Sequence, residues 1–257
     1  MSWALIAGGS KGIGLSIAEA LAKRKYNILL VARNNLELAK AKNQLEKRHN
    51  IQVDILPCDL SLIDSSKIVY DWCVDKNLDI KILCNAAGMG GSKDFPELQL
   101  SDLRTMVRLN LESAMALSFM FIPLLKQTAP SYILNIGSMA GFAPIPNKNI
   151  YASTKSALHS FSYSLKYLLK ENNISVSCVC PGPVFTKSSI EKETIKQLGW
   201  IGKIMAVKSA RVGEYAVQGM LRGKMTIIPG KLATVFSYLI RILPKRFMAF
   251  IFYTFKK

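Results

Sequence analysis

Seven short apolar runs punctuate the chain, at Trp3–Ala7, Asn27–Ala32, Gln52–Leu56, Ile80–Cys84, Tyr132–Ile136, Ser175–Cys180 and Met225–Ile228. Their hydrophobicity is continuous rather than alternating, the pattern of strands covered on both faces, as in a parallel sheet. Between them, apolar positions recur at helical spacing over Gly12–Arg24, Leu36–His49, Ser61–Lys76, Ser101–Lys126, Ala152–Glu171 and Ala210–Gly223. Strand–helix alternation sustained this long predicts an α/β fold. Residues 1–230 then form one doubly wound domain, a seven-stranded parallel sheet with helices on both faces. No repeat, low-complexity tract or linker divides it.

Two stretches break the rhythm. Residues 183–207 lack a clear strand and mix Gly199 and Gly202 with charge, which predicts a loop carrying short helices. Residues 232–255 are intensely apolar, but Arg241 and the Pro244-Lys245-Arg246 break divide them into pieces too short to span a bilayer. They predict a helical hairpin lying on a surface, so that 231–257 forms an apolar, basic C-terminal helical extension.

Composition narrows the classes. Half of the 257 residues are hydrophobic and a fifth are charged, which excludes a disordered chain; 16 Gly and 10 Pro exclude a fibrous one. The formal net charge of +17 points to anionic partners: a phosphorylated cofactor, nucleic acid, an acyl carrier or a lipid surface. No acidic residue follows Glu214, so the surplus is concentrated at the C-terminal end. It sits among apolar residues and matches no nucleic-acid-binding pattern, so no nucleic-acid partner is expected. Five scattered cysteines without a CxxC pair predict a reducing, cytoplasmic setting and no metal site. Cys178 and Cys180, two apart, share one strand face as small core residues. The run from Met1 to Ala7 reads as a first strand rather than a signal peptide.

Candidate chemistry begins after the first strand. Gly8-Gly9-Ser10-Lys11-Gly12-Ile13-Gly14 permits a tight turn and close backbone approach to a pyrophosphate at a helix N-terminus. The acidic residue that binds a ribose 2′-hydroxyl at the end of a second strand is missing; Val31-Ala32-Arg33-Asn34 stands there instead. Arg33 and Lys11 suit a 2′-phosphate, which favours NADPH over NADH. Tyr151 and Lys155 are four apart and so share one helix face. A lysine ammonium near the phenol is expected to lower its pKa, making Tyr151 a general acid for a developing alkoxide. Ser138 falls at the carboxyl end of a central strand, where ligands bind in such sheets.

With these motifs in order over roughly residues 3–230, the chain resembles the short-chain dehydrogenase/reductase superfamily. Gly8–Gly14 matches its cofactor loop, with Gly8 where Thr is usual. Cys58-Asp59-Leu60 matches the segment whose Asp contacts adenine. Asn85-Ala86-Ala87-Gly88 matches Asn-Asn-Ala-Gly, with Ala86 replacing the second Asn. Asn110, Ser138, Tyr151 and Lys155 match the catalytic tetrad, and Pro181-Gly182-Pro183-Val184-Phe185-Thr186 the segment at the nicotinamide end. The resemblance implies a Rossmann fold and cofactor contacts from Gly8, Ser10, Lys11, Gly12, Ile13, Gly14, Arg33, Asn34, Asp59, Leu60, Asn85, Ala86, Ala87 and Gly88. It adds Tyr151, Lys155, Pro181, Gly182, Val184 and Thr186. It further implies Tyr151 as proton donor, Ser138 as hydrogen-bond donor to the carbonyl, Lys155 on the ribose, and Asn110 holding a water in a proton relay.

By the same resemblance, 183–207 is the substrate lid; its apolar residues favour a hydrophobic carbonyl, such as a 3-oxoacyl thioester. The expected reaction is NADPH-dependent reduction. A hydroxysteroid-type or broad-specificity alcohol dehydrogenase is the alternative within the class, and an NADP-binding scaffold the alternative outside it. A homodimer or homotetramer is expected along Ser101–Lys126 and Ala152–Glu171. The 232–255 segment is expected either at the inner face of a membrane or packed on protein.

Overall fold

The computed structural model describes residues 2–90, 95–185 and 207–254. Among these, seven strands form one parallel sheet: β1 (Trp3–Ala7), β2 (Asn27–Ala32), β3 (Val53–Pro57), β4 (Ile80–Asn85), β5 (Ser131–Ile136), β6 (Ile174–Val179) and, after a short ribbon described below, β9 (Thr226–Ile227). Their order across the sheet is β3-β2-β1-β4-β5-β6-β9. The order reverses between β1 and β4, so a crevice opens there at the carboxyl ends of the strands, the place where such sheets take ligands.

Alternation along each strand divides the core in two. Ala4, Ile6, Ile28 and Leu30 point to one face, where α1 (Gly12–Ala22), α2 (Asn35–His49) and α7 (Ser209–Leu221) cover them. Leu5, Leu29, Leu83 and Ile133 point to the other, under α3 (Ser65–Asp75), α5 (Ser113–Gln127) and α6 (Asn149–Leu168). Residues on both faces of β1, β2, β4, β5 and β6 are largely buried, which is why these strands are mostly apolar rather than alternating. The edge strand β3 is partly exposed. The run Leu100–Gln127 is long and apolar enough to cross a bilayer, but Leu117, Phe121 and Leu125 are buried against the sheet.

The expected helix over Ser101–Lys126 is interrupted. α4 (Leu100–Val107) passes into a π-helical turn, Arg108–Glu112, before α5 begins. The expected helix at Ser61 starts only at Ser65, because the Asp59 carboxylate accepts from the Ser61 N–H and hydroxyl and holds 59–64 in a turn. α6 starts at Asn149, which puts Tyr151 in its first turn. The reading of 183–207 as strandless is corrected at its ends: Val184–Phe185 (β7) pairs in parallel with Val207–Lys208 (β8). Residues 186–206, most of the expected lid, lie outside the described residues.

The C-terminal segment forms α8 (Lys231–Ile242) and α9 (Lys245–Thr254), broken at Pro244. Ala233, Ile240 and Met248 pack on Met139 and Ala143, immediately after β5. Arg241 caps the contact with its guanidinium 4.0 Å from the Phe142 ring centroid, a cation–π arrangement.

Phe121 anchors the second core. It is fully buried and meets Tyr70 of α3 edge-on, with ring centroids 5.5 Å apart. Phe121→Ala leaves a cavity between α3 and α5 and is expected to lower unfolding free energy by about 3–5 kcal/mol in urea titration. A loss under about 1 kcal/mol contradicts this packing.

Candidate active site

The glycine loop between β1 and α1 is held flat by backbone contact. The Gly8 N–H donates to the Val31 carbonyl at 2.7 Å. Gly8 has a φ of +90°, and a Cβ there would stand 2.5 Å from the Ala87 nitrogen; one on Gly14 would stand 2.1 Å from the Gly8 carbonyl oxygen. No side chain fits at either position, so the chain passes directly against the end of β4. Beside it opens a cleft of about 810 Å³ lined by Gly8, Ser10, Lys11, Gly12, Ile13, Gly14, Arg33, Asn34, Leu60, Ala86, Ala87 and Gly88. α1 begins at this cleft, presenting unpaired first-turn N–H groups and the positive end of its dipole.

The charged rim differs from the expectation. No acid stands at the end of β2, as the sequence reads, but one from α2 reaches the rim: Lys11 Nζ lies 3.0 Å from both Glu37 carboxylate oxygens, and Ser10 donates to Glu37 at 3.3 Å. Asn34 caps α2 by accepting from the Glu37 N–H, which brings Glu37 to the cleft. The signal was present in the Asn34-x-x-Glu37 spacing, a helix start that places an acid in the first turn. Arg33 is mostly exposed, 3.8 Å from Asp59.

Asp59 and Asn85, both expected at the cofactor, are not among the residues lining the cleft. Burial pushes the Asp59 carboxyl up, but the Ser61 hydrogen bonds and the Arg33 charge outweigh it and hold the pKa below its usual value. Asn85 turns into the protein, where Nδ2 donates to Asn135 Oδ1 at 2.8 Å and Ser118 Oγ at 3.2 Å. Cys58 and Ile136 line the cleft instead. Thr186 lies outside the described residues.

A second cavity, of about 550 Å³, shares Ile13, Ala86, Gly88 and Ile136 with the first. Ser138, Tyr151, Lys155, Pro181, Gly182 and Val184 line it, and Phe236, Ile240 and Phe252 of the C-terminal helices close one side. Ser138 follows β5 directly, its hydroxyl accepting from the Ala140 N–H at 3.1 Å. Lys155 is buried, donates to the Ile136 carbonyl at 2.7 Å, and holds its ammonium 5.9 Å from the Tyr151 ring centroid.

Asn110 sits in the π-helical turn, fully buried. Its Oδ1 accepts from the Met89 N–H at 2.7 Å, while Nδ2 donates to the Met89 carbonyl at 2.9 Å and to Thr154 Oγ1 at 3.3 Å. Both ends of the amide are therefore committed to holding the loop after β4. The wider turn is a known way to aim one side chain out of helical register.

The expectation of a lowered Tyr151 pKa is also revised. Burial dominates and pushes the phenol up, with the Ser138 hydrogen bond pulling against it. Burial likewise brings Lys155 down to about 8, against the pull of Cys178 and Cys180. Lys155 gives its hydrogen bond to a backbone carbonyl rather than to the phenol, so desolvation decides both groups.

This geometry can be set beside known proteins. A family model for short chain dehydrogenases matches residues 2–197. The chain belongs to that family. Among its relatives, the very-long-chain 3-oxoacyl-CoA reductase of Mus musculus is 33% identical over 202 residues, covering 75% of this chain and 63% of the mouse protein. The chain thus spans less than two thirds of that relative's length. An uncharacterised Bacillus subtilis oxidoreductase is 29% identical over 87% of this chain and 86% of its own. A solved short-chain dehydrogenase from Sphingobium yanoikuyae, in complex with NADPH, superposes with a TM-score of 0.78 at 25% identity, covering 95% of this chain and 97% of that one.

The family's nicotinamide dinucleotide fits the residues present. The loop that admits no Cβ, the helix start and the two cationic side chains at the rim form an anion cradle, and it leads into the cavity that holds Tyr151 and Lys155.

Lys155 gives a pH signature independent of turnover. Its pKa falls from 10.5 unfolded to about 8 folded, so the unfolded chain binds more protons between those values. Stability contributed at this site is therefore lowest below pH 8 and rises with pH above it. The difference in unfolding free energy between wild type and Lys155→Met is expected to grow by about 1–2 kcal/mol in favour of wild type from pH 8 to 10. A flat difference contradicts the buried-ammonium geometry.

Proposed function

We propose that this short-chain dehydrogenase is an NADPH-dependent reductase of a hydrophobic carbonyl, of the 3-oxoacyl or a similar lipid-like class. The observation that carries the reading is the juxtaposition of Ser138, Tyr151 and Lys155 in a cavity walled by Phe236, Ile240 and Phe252 and continuous with the glycine-loop cleft. The Mus musculus relative, named for 3-oxoacyl-CoA reduction, supports the substrate class.

The glycine loop would hold the dinucleotide's pyrophosphate, Lys11 and Arg33 its 2′-phosphate, and Lys155 the ribose beside the reacting carbon. When bound, that group supplies the hydride. Ser138 donates a hydrogen bond to the substrate carbonyl and polarises it. Tyr151, kept neutral by burial, holds its proton until the oxygen becomes an alkoxide and then transfers it. The Lys155 ammonium, below its pKa of about 8, stabilises the phenolate left behind. Asn110 acts as a positioning residue, fixing the Gly88-Met89 wall. The outward faces of α5 and α6 expose Phe119, Tyr167 and Leu168, an apolar surface that supports pairing with a second copy.

NADPH oxidation with a medium- or long-chain 3-oxoacyl thioester tests the reaction. Tyr151→Phe is expected to lower turnover about 10²–10⁴-fold while NADPH still quenches tryptophan fluorescence. Tight NADPH binding without turnover of any such thioester sinks the acyl assignment.

Glu37 sets cofactor choice from the other side. Its carboxylate competes with a 2′-phosphate for Lys11. Glu37→Gln is expected to raise the NADPH-over-NADH ratio of kcat/KM about threefold to fivefold, an exposed-pair effect. An unchanged or reduced ratio shows that Lys11 does not meet the phosphate.

A further inference from the structure

We infer that the C-terminal hairpin docks this protein onto the surface of an anionic lipid bilayer, with the outer face of α8 and α9 in the interface. The hairpin has two faces. Its inner side, Ala233, Ile240 and Met248, is buried on the segment after Ser138. Its outer side exposes Leu232, Val235, Leu239 and Ile242 of α8 and Phe247 and Phe250 of α9, each at least half accessible. Six large apolar side chains on two adjacent short helices exceed the scattered exposure normal for a soluble surface.

Charge selects the occupant. Lys231, Arg241, Lys245 and Arg246 interrupt the same two helices, and no acidic residue follows Glu214. Beside α8 lies a cavity of about 590 Å³ whose lining includes Arg222, Lys224, Lys231 and Arg241, with no Asp or Glu among the described lining residues. An apolar helix face bordered by cations is the pattern of an interfacial helix over anionic headgroups, and the basic cavity suits a headgroup phosphate. A second copy placed on this face would bring these cations against their own duplicates, an unfavourable like-charge contact.

Docking has a consequence for the cavity. Phe236, Ile240 and Phe252 belong to the hairpin and also wall the site holding Tyr151. A bilayer against the outer face therefore lies one helix thickness from the reacting groups. That a substrate arrives from the lipid phase rests on the lipid-carbonyl reading above; the docking itself does not.

The test is co-sedimentation of the full chain with vesicles of phosphatidylcholine alone and of phosphatidylcholine with phosphatidylglycerol, without substrate. Binding is expected to the mixed vesicles, to weaken with added salt, and to be far poorer to phosphatidylcholine alone. Ile242→Ser with Phe250→Ser is expected to weaken it at least about tenfold, and Lys224→Gln or Lys231→Gln about fivefold each. Both outer-face positions are exposed, and far-UV circular dichroism with NADPH binding checks that the variants fold. No binding to mixed vesicles overturns the proposal, as does binding that these substitutions leave unchanged. A dimer by light scattering that the Ile242→Ser/Phe250→Ser pair dissolves, without vesicle binding, assigns the face to a second copy instead. Vesicle binding without carbonyl reduction leaves docking standing and removes the proposed function; reduction of a soluble thioester without vesicle binding does the opposite.

Discussion

The site depends on one buried cation. Lys155 is almost completely removed from solvent, and its ammonium donates to the Ile136 backbone carbonyl at 2.7 Å. Burying an ammonium is costly unless it is hydrogen-bonded, and the fall of its pKa to about 8 records that cost. The contact pins α6 to the last residue of β5. Tyr151 then falls one helical turn before the lysine, and Ser138 two residues beyond the strand end. The same bond therefore sets where Lys155 and, one turn earlier, Tyr151 stand relative to the strand end.

A polar seam supports that bond from below. Asn85 of β4 donates to Asn135 of β5, and Asn135 donates at 2.8 Å to Ser162 of α6. These groups lie within otherwise apolar layers, where an unmade hydrogen bond costs more than a made one contributes. The seam therefore fixes register more than it adds stability, joining the two central strands to α6. Asn110 does the same work across the cleft through Met89 and Thr154. Polar residues around the cavities thus divide into those that line them, such as Ser138, and those that hold the walls, such as Asn85 and Asn110.

The sheet was legible because its strands are buried on both faces. Continuous apolar runs make up most of β1, β2 and β4, and periodicity reads such runs directly. Ser138, Tyr151 and Lys155 were legible because a strand end and one helical turn set their spacing locally. What escaped was what the tertiary structure decides. Glu37 belongs to a different element from Lys11, and only the packing of α2 beside the glycine loop brings them to 3.0 Å. The π-helical turn at Asn110 has no composition signal, since its residues propagate an ordinary helix equally well. The pKa of Tyr151 was misread because helical spacing gives which residues are neighbours but not how deeply they are buried. The motif places Asn85 at the cofactor; its contacts with Asn135 and Ser118 depend on neighbouring elements that the motif does not contain.

The strong net charge is the last feature to find a place, and it divides between two ends of the molecule. At the glycine loop, Lys11 is matched by Glu37 and Arg33 stands near Asp59, so that rim is tempered rather than simply positive. At the C-terminal end the described residues differ: Arg222, Lys224, Lys231 and Arg241 gather around one cavity with no Asp or Glu among its described lining residues. In the proposed reaction, a cofactor rim that releases its nucleotide each turnover would gain from a competing carboxylate, because affinity held in the ground state alone does not speed the reaction. A surface that only has to stay near a charged interface has no such requirement, and there additive attraction from several cations is the favourable arrangement. Among the described residues, cation charge is thus countered by carboxylates at the glycine-loop rim and gathered without them in the lining beside the exposed apolar helices.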